Sequence, residues 1–233
     1  MIVNASESPV AAVCDRRMSN GGHTLPLQPS SFLRPPSSGF TLLELLSVLA
    51  ILGILAALIF PSVSAARRSA SKAKARVQFT QWAAAIESFR GEYGYYPALD
   101  GSNLVNGGAT ATDHLFHDIL AARKRDGTAL SAGGAAALQN RKLISFYSFS
   151  NADFTPANLI RDAFDNTSIA VLVDKDLDGV IRQGADFTTL PQFGGIAPAS
   201  ADIPATGIRA GVIFYTPAPG ATVANPEFIF SWK

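Results

Sequence analysis

One apolar run constrains this chain more than any other feature. Residues 42–60 read LLELLSVLAILGILAALIF and contain a single charged side chain, Glu44. As an α-helix the run would be about 28 Å long, close to the hydrocarbon thickness of a bilayer. A buried core helix is disfavoured, because a soluble domain of this size rarely contains a helix that is apolar on every face. Residues 63–65, followed by Ala66, have the small side chains of a signal peptidase site. Hydrophobicity alone therefore leaves both a removed signal peptide and a retained anchor open.

The helical pattern continues past this possible cleavage point, which favours a retained helix. Downstream of Pro61, aromatic and aliphatic residues recur at spacings of three and four and predict one apolar stripe: Phe79, Trp82, Ile86, Phe89 and Tyr93. We therefore expect a single helix from Phe40 to about Glu92, apolar over 40–62 and amphipathic over 63–93. Pro61 is predicted to kink it, because proline removes an N–H group and its ring clashes with the preceding turn.

The start of the apolar run carries a specific signature. The stretch Ser37-Ser38-Gly39-Phe40-Thr41-Leu42-Leu43-Glu44 resembles the type IV prepilin and pseudopilin signal, in which Gly and Phe or Met precede Thr-Leu-Leu-Glu. The resemblance implies that a prepilin peptidase cleaves between Gly39 and Phe40 and that Phe40 is then N-methylated. Residues 1–39 would be the removed leader, with Met18 as an alternative start. It also implies a single-pass protein of the inner membrane with its head in the periplasm.

Glu44 is the fifth residue of the processed chain in this interpretation. A carboxylate in hydrocarbon costs several kcal/mol unless it is paired or neutralised. Cleavage would create an ammonium group at Phe40, one helical turn away, and the next subunit could supply the same group. We therefore predict that Glu44 acts in filament assembly.

A basic segment follows the apolar run, and no acidic residue lies between Glu44 and Glu87. The positive-inside rule would place this segment in the cytoplasm, whereas the prepilin signal places it outside. The signal is more specific, so we interpret the segment as a solvated helix face at the membrane or filament surface. Its residues are Arg67, Arg68, Lys72, Lys74 and Arg76.

Residues 94–233 are predicted to form a small head, which gives an α+β, pilin-like fold with a long N-terminal helix packed on an antiparallel sheet. Asp113 would cap a short helix that ends near Arg125. A four-stranded sheet would cover the apolar stripe. Its strands are predicted within five runs, 143–149, 169–173, 180–181, 211–216 and 228–232. Three segments of the head resemble fragments of major pseudopilins: 161–166, 174–179 and 228–232. Compared with that family, the chain has an added stretch at about residues 184–208.

One acidic turn is the candidate metal site. Asp174, Asp176 and Asp178 alternate ahead of Gly179, like the first half of an EF-hand loop. The acidic residue that an EF-hand loop has at its twelfth position is absent, since Asp186 lies one residue beyond that position. Ca²⁺, which major pseudopilins bind in an acidic loop, and a solvated hairpin both remain open.

No enzyme motif is present, so we expect no catalytic residue. His114 and His117 are predicted to lie on an exposed helix face. The only cysteine, Cys14, falls in the predicted leader, so the processed head would contain no disulfide. A net charge of +1 and dispersed aromatic residues give no reason to expect a nucleic-acid partner.

These features predict a structural subunit of a type II secretion pseudopilus. The expected partners are the prepilin peptidase, further copies of the chain, other pseudopilins, the assembly platform and the membrane. A subunit of a type IV pilus or competence pilus is the alternative within the class. A secreted or anchored binding domain with an ordinary signal sequence is the alternative from another class.

Overall fold

A computed structural model describes residues 39–233, and the predicted leader lies outside these residues apart from Gly39. Residues 39–50 belong to one compact unit and residues 51–233 to a second. The first element, α1, spans Leu42–Tyr93 and is helical throughout, including position 61. It ends where Gly94 adopts a left-handed conformation (φ 79°) and donates its N–H to the Arg90 carbonyl. The predicted long helix is confirmed, and the kink at Pro61 stays a prediction.

The second unit contains two short helices and one antiparallel sheet. Helix α2 spans Leu115–Ala121 and α3 spans Ala135–Gln139. The sheet has the order β1-β2-β3, formed by Ala170–Val173, Val212–Pro217 and Phe228–Phe230. The α+β, pilin-like layout is confirmed, with three strands instead of the predicted four.

Both faces of this sheet are buried, which explains why its strands are apolar at successive positions. The stripe of α1 covers one face, and the ring of Phe79 stacks on that of Phe214 with centroids 5.7 Å apart. Trp82 adds an edge contact to the same ring at 5.7 Å. The opposite face packs against the added stretch at about residues 184–208. Its side chains include Phe187, Phe193 and Ile203.

Two predicted strands are not formed. Residues 143–149 are irregular, because the buried Asn140 side chain satisfies both the N–H and the C=O of Ile144, and Leu120 O accepts from Phe146 and Tyr147. Residues 180–181 contribute only one isolated bridge, between Ile181 and Ile208.

The start of α2 also differs from the prediction. His114 caps this helix: its side chain accepts a hydrogen bond from the His117 backbone N–H, whereas Asp113 lies outside the helix and pairs with Lys124. The helix ends at Ala121, where Ala122 takes a left-handed conformation, and does not continue to Arg125.

Candidate processing and assembly site

The predicted cleavage point lies immediately before α1. Gly39 and Phe40 are exposed and precede the helix, and Phe40 retains 84% of its accessible surface. A peptidase needs an accessible backbone, so this placement suits processing between the two residues. Cleavage and methylation at these positions stay predictions.

Thr41 and Glu44 form a reciprocal cap on the first turn. The Thr41 backbone N–H and hydroxyl each donate to Glu44 Oε2 at 3.1 Å, and the Glu44 backbone N–H donates to Thr41 Oγ1 at 3.1 Å. This is the capping box expected of a Thr-x-x-Glu sequence at a helix N-terminus. Thr41 is a functional residue that was not predicted, although the Thr-x-x-Glu spacing is present in the sequence.

The cap places the Glu44 carboxylate at the positive end of the helix dipole, where a negative charge is favourable. Its second oxygen, Oε1, has no hydrogen-bond partner within residues 39–233. Glu44 could therefore accept a further hydrogen bond from an ammonium group without leaving the cap. Its role in assembly stays a prediction.

The turns that follow expose an apolar surface. Every large apolar side chain from Leu42 to Phe60 is at least half exposed. The hydroxyl of Ser47 donates to the Glu44 carbonyl and that of Ser62 to the Leu58 carbonyl, so neither requires water as a partner. Among the described residues, α1 is the one helix long and apolar enough to cross a bilayer.

The basic segment is partly neutralised. Glu227 forms ion pairs with Arg68, at 3.0 Å, and with Lys72. The Lys72 hydrogen bond, with the charges of both cations, holds the pKa of Glu227 below its usual range. Arg68 also donates to the Pro219 carbonyl at 3.1 Å. Two of the five cations are therefore joined to the head and are not simply solvated.

The carboxylates that lie close together in the structure are not the three that the sequence predicts. Oxygens of Asp174, Asp176 and Asp186 lie within 4.8 Å of one another. Asp178 instead pairs with Arg182 and accepts the Val180 N–H. Asp174 and Asp186 are buried, and burial, with neighbouring Asp176, raises the pKa of Asp174.

These three carboxylates match the hard oxygen ligands that Ca²⁺ prefers. Backbone amides orient two of them: Gly179 N–H donates to Asp174 Oδ2 at 2.7 Å, and Lys175 and Arg182 donate to Asp186. Each oxygen keeps a further lone pair for a cation. Asp186 is not in the predicted set because it lies one residue beyond the twelfth position of an EF-hand loop, and only the fold brings it to the cluster.

The two histidines of α2 are buried, contrary to the prediction of an exposed face. His114 retains 1% of its surface and His117 5%. Their imidazoles bind Asn106 and Asp118, each at 2.8 Å, and contact the Phe149 and Phe154 rings. They are parts of the core.

Comparison with known proteins identifies one segment. Residues 34–60 match the model of the prokaryotic N-terminal methylation motif. No curated protein and no solved structure matches the chain. The motif supports a type IV pilin-like protein and implies processing by a prepilin peptidase and membrane assembly with pilin-like proteins.

Proposed function

We propose that this protein is a structural subunit of a type II secretion pseudopilus. It would be inserted in the inner membrane by one span, with its head in the periplasm, and incorporated into a helical filament after cleavage at Gly39. It would turn over no substrate, and its work would be mechanical. The observation that carries the proposal is the methylation motif at the start of a helix whose apolar residues the chain leaves exposed.

Such a helix requires an apolar environment both before and after assembly. Lipid supplies it first, and equivalent helices of neighbouring subunits would supply it in a filament. Small residues such as Gly53, Ala56 and Ala57 would allow close helix approach. A head-to-tail contact that does not close on itself produces such a filament.

The choice of type II secretion rests on the head. The segment 161–166, which resembles a pseudopilin fragment, is an ordered turn. Asp162 accepts the N–H groups of Phe164 and Asn166, and the Asn166 side chain donates to Thr216 at 2.8 Å. The absence of cysteine after residue 39 agrees with a head that has no disulfide.

The acidic turn supports a second proposal within the same role, namely that Asp174, Asp176 and Asp186 bind Ca²⁺. The cation would offset the repulsion among the three carboxylates and tie residues 174–178 to Asp186. Its function would be structural, holding the turn in the form that the filament uses.

N-terminal sequencing of the protein from the source membrane tests the processing step. The pilin-like function predicts methylated phenylalanine, Phe40, as the first residue. A start at Ala66 would reject this function and favour a protein with an ordinary signal peptide.

Deletion of the gene separates the two filament systems. A pseudopilus subunit predicts loss of exported proteins from the medium with unchanged surface pili. Loss of pili or of DNA uptake with normal export would assign the chain to a type IV or competence pilus.

A further inference from the structure

The base of the head combines a neutral loop with unpaired cations. Residues 218–226, here called the basal loop, join β2 to β3 and contain no charged side chain. Arg68 fixes the loop beside α1 through the Pro219 carbonyl, and Glu227, directly after the loop, is held by Arg68 and Lys72. Val223, in the loop, is 71% exposed and is its largest apolar side chain.

Three cations of the basic segment have no acidic partner within residues 39–233. They are exposed and lie on different sides of α1, and we call them the basic collar: Arg67, Lys74 and Arg76. Glu227 is already occupied by Arg68 and Lys72. The collar therefore has no ion-pair partner among the described residues, although Lys74 lines a cavity with Asp153, Asp162 and Asp165.

The distance of each collar cation from the end of the apolar run decides whether it can reach the lipid headgroups. Arg67 lies seven residues beyond Phe60, about 10 Å along an α-helix. Side chains on a helix tilt toward its N-terminus, so the Arg67 guanidinium reaches back toward the apolar run. The headgroup layer extends roughly 5–7 Å beyond the hydrocarbon on each side. Arg67 is thus within reach of lipid phosphates, while Lys74 and Arg76 lie about 10 and about 14 Å further along the helix and act on the headgroups only through their charge at longer range.

We propose that the basic collar and the basal loop form a surface that binds anionic phospholipid headgroups of the leaflet on the head side of the membrane. This inference rests on the membrane anchoring in the proposed function. Val223 would enter the interface between headgroups, while Arg67 pairs with lipid phosphates and Lys74 and Arg76 add attraction at longer range. The cluster of cations outside the apolar run, which opposes the positive-inside rule, then has a physical role.

A second copy of the chain is a poorer partner for the collar. Many acids at the surface of the head already have a Lys or Arg partner, which leaves few to pair with a neighbour: Glu92, Asp113, Asp165, Asp178 and the half-buried Asp202. A bilayer that contains anionic lipid offers phosphates at the level of Arg67, and the head need not rearrange to reach them.

The test uses the full chain with Cys14→Ser and Val223→Cys, labelled with a fluorophore at position 223. The protein is reconstituted into vesicles of phosphatidylcholine alone or with phosphatidylglycerol, each containing the same share of a lipid with a headgroup nitroxide that quenches the fluorophore. We expect stronger quenching in the anionic vesicles and loss of the difference at high salt. Arg67 should contribute about a fivefold preference for anionic lipid, since a basic residue near such a surface contributes about 1 kcal/mol, and the more distant Lys74 and Arg76 should contribute less.

The triple variant Arg67→Gln, Lys74→Gln, Arg76→Gln should therefore lose a preference of about fivefold or more. Its control is Arg123→Gln, Arg141→Gln, Arg209→Gln, which removes the same charge from exposed cations with no ion pair among residues 39–233. The control should keep the preference.

Equal quenching in both vesicle types, or equal losses in both triple variants, would overturn the proposal. Quenching that follows the protein-to-lipid ratio and ignores lipid charge would indicate a contact between copies and would also overturn it. Carbonate extraction measures membrane insertion independently of the quenching. A chain that inserts without any lipid preference rejects only the headgroup surface, whereas a chain that does not insert rejects the anchoring as well.

Discussion

Glu44 has two separable properties, a hydrogen-bond acceptor and a charge. As an acceptor it closes the cap with Thr41, and as a charge it would bind an ammonium group in an apolar environment. The cap requires only an oxygen, because glutamine serves equally well at this position of a capping box. Substitution can therefore distinguish the two properties.

We predict that Glu44→Gln is inserted and cleaved normally but fails to enter filaments, as does Glu44→Ala. Glutamine keeps the cap, while alanine also loses it, at a cost of about 1 kcal/mol in the first turn. The measurement is the ratio of sedimented filament to membrane-inserted subunit. Normal incorporation of Glu44→Gln would show that the charge is dispensable.

His114 is held in one protonation state by its two hydrogen bonds. Asn106 Oδ1 also accepts the Ile160 N–H, so the atom facing His114 Nε2 is an acceptor and Nε2 carries the hydrogen. Nδ1 must then stay unprotonated to accept the His117 N–H. Burial, with the neighbouring His117, lowers the pKa of His114 to about 4.

This pKa predicts acid sensitivity of the head. An unfolded histidine titrates near 6.5, so the unfolded state binds more protons as the pH falls below that value. Stability should fall between about pH 6.5 and 4 by roughly 3 kcal/mol and then level off. His114→Asn keeps an acceptor for the cap and should remove this slope in urea unfolding of the chain in detergent.

Asp162 and Asp174 act in the opposite direction, because burial raises their pKa values and protonation in acid then favours the folded state. The difference between wild type and His114→Asn isolates the histidine from these groups. Parallel pH profiles for the two proteins would contradict the prediction.

Among the elements, the segment 142–149 shows how a side chain can replace a sheet ladder. The Asn140 amide donates to the carbonyls of Ile119 and Ile144, at 2.8 and 2.7 Å, and its oxygen accepts from Ile144 and Tyr93. The side chain is fully buried. Two of these four bonds satisfy the N–H and the C=O of Ile144, which a strand would otherwise have paired.

We predict that Asn140→Ala destabilises the head by about 2–4 kcal/mol, since it leaves buried donors and acceptors without partners. Hydrogen exchange should rise first at the Ile144 amide and its neighbours. Gln139→Ala is the matched control, because its bonds to Ala98 are exposed and should matter little. Equal effects of the two substitutions would contradict the role assigned to Asn140.

A further prediction for the acidic turn distinguishes the three carboxylates that cluster in the structure from the three that alternate in the sequence. If Ca²⁺ binds Asp174, Asp176 and Asp186, Asp186→Asn should abolish the rise in melting temperature on adding Ca²⁺. Asp178→Asn should retain it, because Asp178 lies outside the cluster of the three carboxylates. Calorimetric titration of both variants with Ca²⁺ and Mg²⁺ checks this. The same Ca²⁺ response in Asp186→Asn as in wild type would exclude this ligand set.

For the whole molecule, the stability of the head depends on the half of α1 that packs on the sheet. Trp82 is fully buried and contacts Phe79, Phe116 and Phe214. The exposed turns of residues 42–60 contribute no such burial. Insertion and head folding should therefore respond to different substitutions.

Trp82→Ala should lower the free energy of unfolding by about 3–5 kcal/mol, because it removes a large buried side chain and leaves a cavity. Insertion should be unchanged. Val77→Ala, at an exposed position of the same helix, should change stability by less than about 0.5 kcal/mol. Chemical unfolding and carbonate extraction measure the two properties. Loss of insertion in Trp82→Ala would show that they are coupled.

Local patterns were sufficient to predict some of this protein. The apolar run, the stripe of α1, the methylation motif and three of the strands follow from the order of neighbouring residues, because helix period, strand alternation and a linear recognition signal are properties of short segments. The cap formed by Thr41 and Glu44 belongs to the same class, since both partners lie in one turn.

Contacts between distant segments decided the rest. The burial of His114 and His117, the replacement of a strand by bonds from Asn140, and the exchange of Asp178 for Asp186 in the acidic cluster each depend on residues that the fold brings together. These polar side chains belong to the core or to the candidate metal site because their partners come from other elements. The sequence alone thus determined a pilin-like helix and its processing signal, whereas the tertiary structure decided which polar groups are paired, buried or left free.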